Sequence, residues 1–253
     1  MRSAALISDI HGNSLALGAV LADIAGRGVD SIYCLGDLVG YGPDPNGVID
    51  LVRAGGIPSL MGNYDDGVGW ERGDCGCYYA TAEARSVGEA SYAFTVATVT
   101  DDRKAFLRGL PAERHIKLGD AAVHLVHGSP RKINEYLMRD RDVRTFLRLD
   151  EAEHDDALVF GHTHEQWRRV YGRTLFVAVG SVGRPKDGDP RAMYTVLRAA
   201  EAPGTAPGGV PGGAATPLEV EAVRVAYDVE AAALAVEAVG LPVALADAFR
   251  SGE

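Results

Sequence analysis

Residues 4–12 read Ala4-Ala5-Leu6-Ile7-Ser8-Asp9-Ile10-His11-Gly12, a short apolar run that gives way to an acid, a histidine and a glycine. The apolar part predicts a buried strand, and the turn through Asp9 to Gly12 leaves it. Asn13 then offers an N-cap. Leu17, Val20, Leu21 and Ile24 recur at helical spacing before Gly26 and Gly28 end the helix. Residues 31–35 predict the next strand, and Asp44-Pro45 predicts a cap with proline at the first helical position, opening a helix towards Val52. Residues 57–61 predict a third strand. Short strands alternating with helices argue for parallel pairing.

Further along, residues 65–110 read as polar and mostly helical, with no chemical pattern of their own. Residues 114–117 and 121–126 predict adjoining strands, 143–152 a helix and 157–160 another buried strand. Strand-like runs come next at 167–171, 174–179, 192–197 and 218–226, and the last thirty residues predict helix interrupted at Pro242. Between the last two strands, residues 199–217 hold fifteen Ala, Gly or Pro in nineteen and one charge, Glu201. Such a stretch buries too little surface to order itself, so it is expected to be a flexible hairpin loop. Too little chain remains after it for a second domain, and residues 1–253 are expected to form one. The class expected is α/β with a second, more antiparallel sheet.

The chain of 253 residues is long enough for a substantial core, and 47% hydrophobic with 24% charged residues describes an ordinary globular protein. A net charge of -10 disfavours polyanionic partners, so neither nucleic acid nor anionic membrane is expected. A small anionic substrate stays open, because bound metal ions would reverse the local field. Three cysteines argue against a disulfide framework. Cys34 reads as a small buried hydrophobe, and Cys75-Gly76-Cys77 lacks the second pair of a zinc site. No apolar run approaches the ~20 residues of a membrane span and the N-terminus lacks the pattern of a signal peptide, so a cytoplasmic location is expected. Homo-oligomerisation is left open.

Metal-competent side chains stand directly after the predicted strands. Asp9 and His11 come after the first, Asp37 after the second, Asn63 after the third, His127 after the strand at 121–126, and His162 and His164 after the strand at 157–160. In open α/β sheets the carboxyl edge is where ligands bind. Gly12, Gly36, Gly62, Gly128 and Gly161 stand beside these residues and permit sharp turns off the strands. Two carboxylates, one amide and four imidazoles are too many ligands for one catalytic ion, yet suit two ions sharing a carboxylate. Mixed oxygen and nitrogen donors favour transition metals over Mg or Ca, with manganese first and iron, nickel, cobalt or zinc as alternatives. His115, His124 and His154 receive no role, and His124 is placed on the opposite strand face from His127. Arg184 and Lys186, in a Gly-rich turn, are candidates for contact with a substrate phosphate.

Asp9-Ile10-His11, Gly36-Asp37-Leu38-Val39-Gly40, Gly62-Asn63-Tyr64-Asp65, His127-Gly128 and Gly161-His162-Thr163-His164 resemble, in order, the five motif blocks of the calcineurin-like metallophosphoesterases. Gly180 to Pro185 and the strands after it also resemble the small bacterial and archaeal phosphodiesterase branch. The resemblance implies a four-layer α/β/β/α sandwich of two mixed sheets flanked by helices, with metals at one edge. It implies that Asp9, His11 and His164 hold one ion, that Asn63, His127 and His162 hold the other, and that Asp37 bridges them. A hydroxide between the ions would attack phosphorus in line, hydrolysing a small phosphodiester or phosphoanhydride. The third block usually carries a histidine after the asparagine, which protonates the leaving group. Here the position is Tyr64, whose phenol, with an ordinary pKa of about 10, delivers a proton less readily.

Three rivals have sequence tests. A metal-binding interaction scaffold on the same fold, like a retromer subunit that has lost ligands, would show gaps in the ligand set, and none is missing. A nuclease would need a basic groove or an added DNA-binding domain. A protein phosphatase would carry an arginine after the second block, where this chain has Leu38-Val39-Gly40.

Overall fold

The computed structural model describes residues 1–200 and 217–253. Strands β1 (Ser3–Ile7), β2 (Ser31–Cys34), β8 (Ala192–Ala199) and β9 (Leu218–Val225) form one sheet in the order β2-β1-β8-β9. Strands β3 (Glu113–Leu118), β4 (Ala121–Val126), β5 (Ala157–Phe160), β6 (Gln166–Tyr171) and β7 (Thr174–Val179) form a second in the order β3-β4-β5-β7-β6. Both sheets are mixed. β1 pairs parallel with β2, and β5 parallel with β4 and β7, whereas β8, β9, β3 and β6 run antiparallel to their neighbours.

Period-two alternation sorts the side chains into layers. Ala4 and Leu6 of β1 face the second sheet and pack with Val123, Leu125, Val159 and Val177. Ala5 and Ile7 face the other way, onto helices α1 (Ser14–Ala25), α2 (Pro45–Ala54), α7 (Val229–Ala238) and α8 (Val243–Ser251). Beyond the second sheet, α6 (Val143–Ala152) lays Phe146 and Leu149 on Leu158, Phe160 and Phe176. The result is the expected helix–sheet–sheet–helix sandwich. Burying each such Leu, Ile or Phe contributes roughly 1.5–3 kcal/mol, so both faces of each sheet stabilise the fold.

The capping expectations hold. Asn13 Oδ1 accepts the Ala16 N–H, and Asp44 Oδ1 accepts the Gly47 N–H ahead of Pro45. Pro242 is the N-cap of α8, which is why the C-terminal helical region divides there.

Residues 57–61 are a correction. They form no strand and contribute one parallel bridge, Cys34 to Ser59. Pro58 has no N–H to give a ladder, though its carbonyl accepts from Cys34 and the Leu60 N–H donates to the Cys34 carbonyl. The chain therefore runs extended alongside β2 and enters α3 (Asn63–Gly69) directly. Helices α4 (Ala82–Thr98) and α5 (Asp101–Arg108) account for the rest of the expected helical middle. β8 and β9 are antiparallel neighbours up to the pair Ala199–Leu218. Residues 201–216 of the expected flexible loop lie outside the described residues.

Candidate metal centre

Four strands and one helix end meet at a single edge. Asp9 and His11 lie just past β1, Asp37 past β2, His127 past β4, His162 and His164 past β5, and Asn63 opens α3. All seven side chains are buried. Asp9, His11 and His164 place ligand atoms within 4.8 Å of one another, and Asp37, His127 and His162 do the same. His11 Nε2 lies 3.1 Å from His164 Nε2 and 3.7 Å from Asp37 Oδ2, while His127 Nε2 lies 3.4 Å from that same Asp37 oxygen. Asn63 Oδ1 is 3.0 Å from His127 Nε2. Asp37 thus stands between the two groups.

Backbone geometry makes this convergence possible. Asp9, His11, Asp37, His162 and His164 all adopt positive φ, between 51° and 63°, as does Tyr41 at 57° beside them. Residues with a Cβ rarely take that conformation, and it persists only where surrounding structure enforces it. Several long-range bonds enforce it here. Asp9 N–H donates to Gly36 O, Ile10 and His11 N–H to Asp37 O, and Gly12 N–H to Leu38 O. Gly161 allows the two sheets to approach, since a Cβ there would fall 2.1 Å from Ser8 Oγ and 2.7 Å from Asp9 Oδ2.

The imidazoles are oriented as metal ligands are. His11 Nδ1–H donates to Val39 O at 3.0 Å, His127 Nδ1–H to Leu35 O at 2.9 Å and His164 Nδ1–H to Arg184 O at 2.6 Å. Fixing the proton on Nδ1 turns the Nε2 lone pair into the site. The Asn63 amide is oriented in the same manner, with Nδ2 donating to Cys75 O and Cys77 Sγ so that Oδ1 faces inward. Asp9 Oδ1 and His162 Nε2 are buried without a hydrogen-bond partner among the described residues. Orphaned polar atoms inside a set of buried imidazoles and carboxylates are what a bound cation would satisfy. The residues present fit divalent metal ions.

Electrostatics agree. Burial lowers the imidazole pKa of His11 to about 4 and that of His162 to about 3, and it holds His164 well below its ordinary value, so all three stay neutral donors. Burial opposes charge on Asp37 and His127 too, but their mutual attraction outweighs it. The Asp37 carboxyl is held below, and the His127 imidazole above, the ordinary value.

A profile of the calcineurin-like phosphoesterase superfamily domain matches residues 1–201. The chain belongs to that superfamily. This chain is a hydrolase acting on phosphoric ester bonds. An uncharacterised protein of Methanocaldococcus jannaschii is 30% identical over 246 residues, covering 90% of this chain and 89% of its own length. A metallophosphoesterase from Sphaerobacter thermophilus superimposes with a TM-score of 0.72 at 29% identity, covering 100% of this chain and 99% of that one. A hypothetical protein from Pyrococcus horikoshii shares the fold, with a TM-score of 0.82 at 20% identity over 100% and 99% of the two chains. No helix among the described residues is long and apolar enough to cross a membrane.

Other residues of this phosphoesterase site escape a reading of the sequence. Asp65, within the third motif block, accepts backbone N–H groups from Asp37, Leu38 and Gly62. Tyr41 packs its ring 4.8 Å from His11, and Tyr136 lies 4.0 Å from the His162 ring. The segment at 65–110, which carries no chemical pattern of its own, brings Cys75 and Cys77 against Asn63. Only the Gly62-Asn63-Tyr64-Asp65 spacing hints at Asp65, since an acid three residues past an N-cap reaches back to it. Tyr64 is wholly buried. Its ring meets His11 at 5.5 Å and Tyr41 at 4.8 Å, and its hydroxyl lies among Tyr41, Cys75 and Tyr79 without a hydrogen bond of good geometry to any described residue. It fits against Gly40, where a Cβ would come within 2.3 Å of the ring. Arg184 lies 4.4 Å over the Tyr41 ring, with Nε buried and unpaired. Lys186 is exposed to solvent at the same rim. Surrounding protein and neighbouring Arg184 push its ammonium pKa down to about 8.

Proposed function

We propose that the chain hydrolyses a small phosphodiester or phosphoanhydride at a centre of two divalent transition-metal ions, manganese before iron, nickel, cobalt or zinc. Asp9, His11 and His164 would hold one ion, Asn63, His127 and His162 the other, and Asp37 both. The observation that carries this reading is the position of Asp37 Oδ2, 3.7 Å from His11 Nε2 and 3.4 Å from His127 Nε2, each imidazole belonging to a different ligand group. Two bound ions would supply a Lewis-acid pair that polarises the phosphoryl oxygens and lowers the pKa of an attacking water.

The chain's own groups do the rest. The Tyr64 backbone N–H, on Asp37 Oδ1 at 2.8 Å, keeps that carboxylate aimed, and neighbouring His127 keeps it ionised. Arg184 and Lys186 place positive charge at the rim, where an incoming phosphate is drawn in and oriented. The Tyr64 phenol is sealed from solvent and held in its neutral form by burial, so it is a poor source of a proton for the leaving oxygen. Leaving groups that depart as stable anions are therefore favoured. The acidic chain and the small site favour small phosphoesters over nucleic acid.

The experiment is a phosphoester panel with metal-stripped protein and separate addition of Mn, Ni, Zn and Mg. Hydrolysis restored by a transition metal, faster for aryl than for alkyl diesters, is the expected result. Equal hydrolysis with and without metal would contradict the reading, and inactivity on every ester would favour the scaffold alternative.

A further inference from the structure

A second constellation of metal-binding groups lies on the outer face of the second sheet. His115 of β3 and His124 of β4 are direct cross-strand partners, and their rings stack with centroids 4.2 Å apart. His124 shares its strand face with Val126, which packs beneath α6, so it points away from the inter-sheet core. Glu113, two residues before His115, shares that face. One ligand atom from each of Glu113, His115 and His124 lies within 4.8 Å of the others.

The orientation of the two imidazoles is the informative part. His124 Nδ1 is 2.8 Å from Glu153 Oε2, and His115 Nδ1 is 2.6 Å from Asp155 Oδ2, both carboxylates coming from the turn after α6. Each ring thus has a carboxylate on Nδ1, leaving Nε2 as its ligating nitrogen. His124 Nε2 is already directed at the Glu113 carboxylate, 3.1 Å away. Carboxylate–histidine pairs of this kind fix the tautomer of metal-bound imidazoles. Glu113, Glu153 and Asp155 bring three acids to two imidazoles, and no Lys or Arg forms an ion pair with these carboxylates among the described residues, Arg173 reaching only the Glu153 backbone carbonyl. The Glu153 carboxylate and the His124 ring are both almost wholly shielded from water, while Glu113 and His115 are open to it.

We propose that Glu113, His115 and His124 form a separate three-ligand site for a divalent transition-metal ion, with Glu153 and Asp155 as its orienting carboxylates and water completing the coordination. The site is independent of the centre at Asp37. Two imidazoles and one carboxylate select Zn, Ni or Co over Mg or Mn. A tetrahedral ion needs ligand atoms roughly 3.3 Å apart, so the exposed Glu113 and His115 side chains would draw inward while His124 stays fixed. The bound ion ties strand β3, at the edge of the sheet, to the turn after α6 through the carboxylates on both rings.

The test uses untagged full-length protein and compares wild type with His115→Ala and Glu113→Gln, both exposed positions. After equilibration with Zn²⁺ and gel filtration, elemental analysis should find one more zinc per chain in wild type than in either variant, with activity unchanged among the three. Mn²⁺ or Mg²⁺ should show no such difference. Asp155→Asn should weaken this zinc alone by about 10–100-fold, the usual cost of losing an orienting carboxylate. Equal zinc stoichiometry and affinity in wild type and both variants would overturn the proposal. So would half a zinc per chain accompanied by dimerisation, which would make the ligand set intermolecular.

Discussion

The carboxylate of Asp65 accepts the backbone N–H of Asp37 at 2.8 Å, and its second oxygen accepts that of Leu38 at 3.0 Å. A third bond, from Gly62 N–H, ties the start of α3 to the same carboxylate. One buried acid therefore sets the turn after β2 against the helix that carries Asn63. Asp65→Asn puts an amide NH₂ among these donors. The variant should lose about 1–3 kcal/mol of stability and bind less metal at both positions, because the central carboxylate moves with its backbone. Thermal melting and metal content measured together check this; unchanged values for both would remove Asp65 from the account.

Tyr64 tests the proton question. With its hydroxyl buried away from solvent, Tyr64→Phe should change kcat/KM for aryl and alkyl phosphodiesters by less than about threefold and leave their ratio intact. General acid catalysis is typically worth 10²–10⁴-fold, so a fall of that size confined to alkyl esters would make the phenol the proton donor.

Arg184 separates binding from positioning within one residue. Its backbone carbonyl holds His164, while its guanidinium faces the rim over Tyr41. Arg184→Ala keeps the carbonyl and removes the charge. Metal content should be unchanged and KM should rise about 10–100-fold, as expected for losing one charge-assisted hydrogen bond worth roughly 1.5–3 kcal/mol. A loss of metal with KM unchanged would show that the side chain supports the centre instead.

How local each signal is decides whether the sequence reveals it. The strands before Asp9, Asp37 and His162 are legible because each is a short apolar run ending at a polar residue with a glycine within three positions. The run at residues 57–61 looks alike, but Pro58 breaks the ladder and leaves one bridge. The fixed tautomers are invisible in the sequence, since the carbonyl that holds His127 belongs to Leu35, 92 residues away in the chain. Cys77 beside Asn63 and Glu153 beside His124 are likewise products of packing. Strand spacing places His124 facing away from His127, and its position in β4 agrees. Its pairing with His115 depends on the β3–β4 register, and no pattern within either strand reveals it.

The central claim is that Asp37 is shared by two ions. The decisive measurement is manganese per chain in wild type, His11→Ala and Asp37→Ala, since the outer site selects against manganese. Two are expected in wild type, about one in His11→Ala and less than one in Asp37→Ala, because only the last removes a ligand from both ions. Two ions and full activity in Asp37→Ala would contradict it.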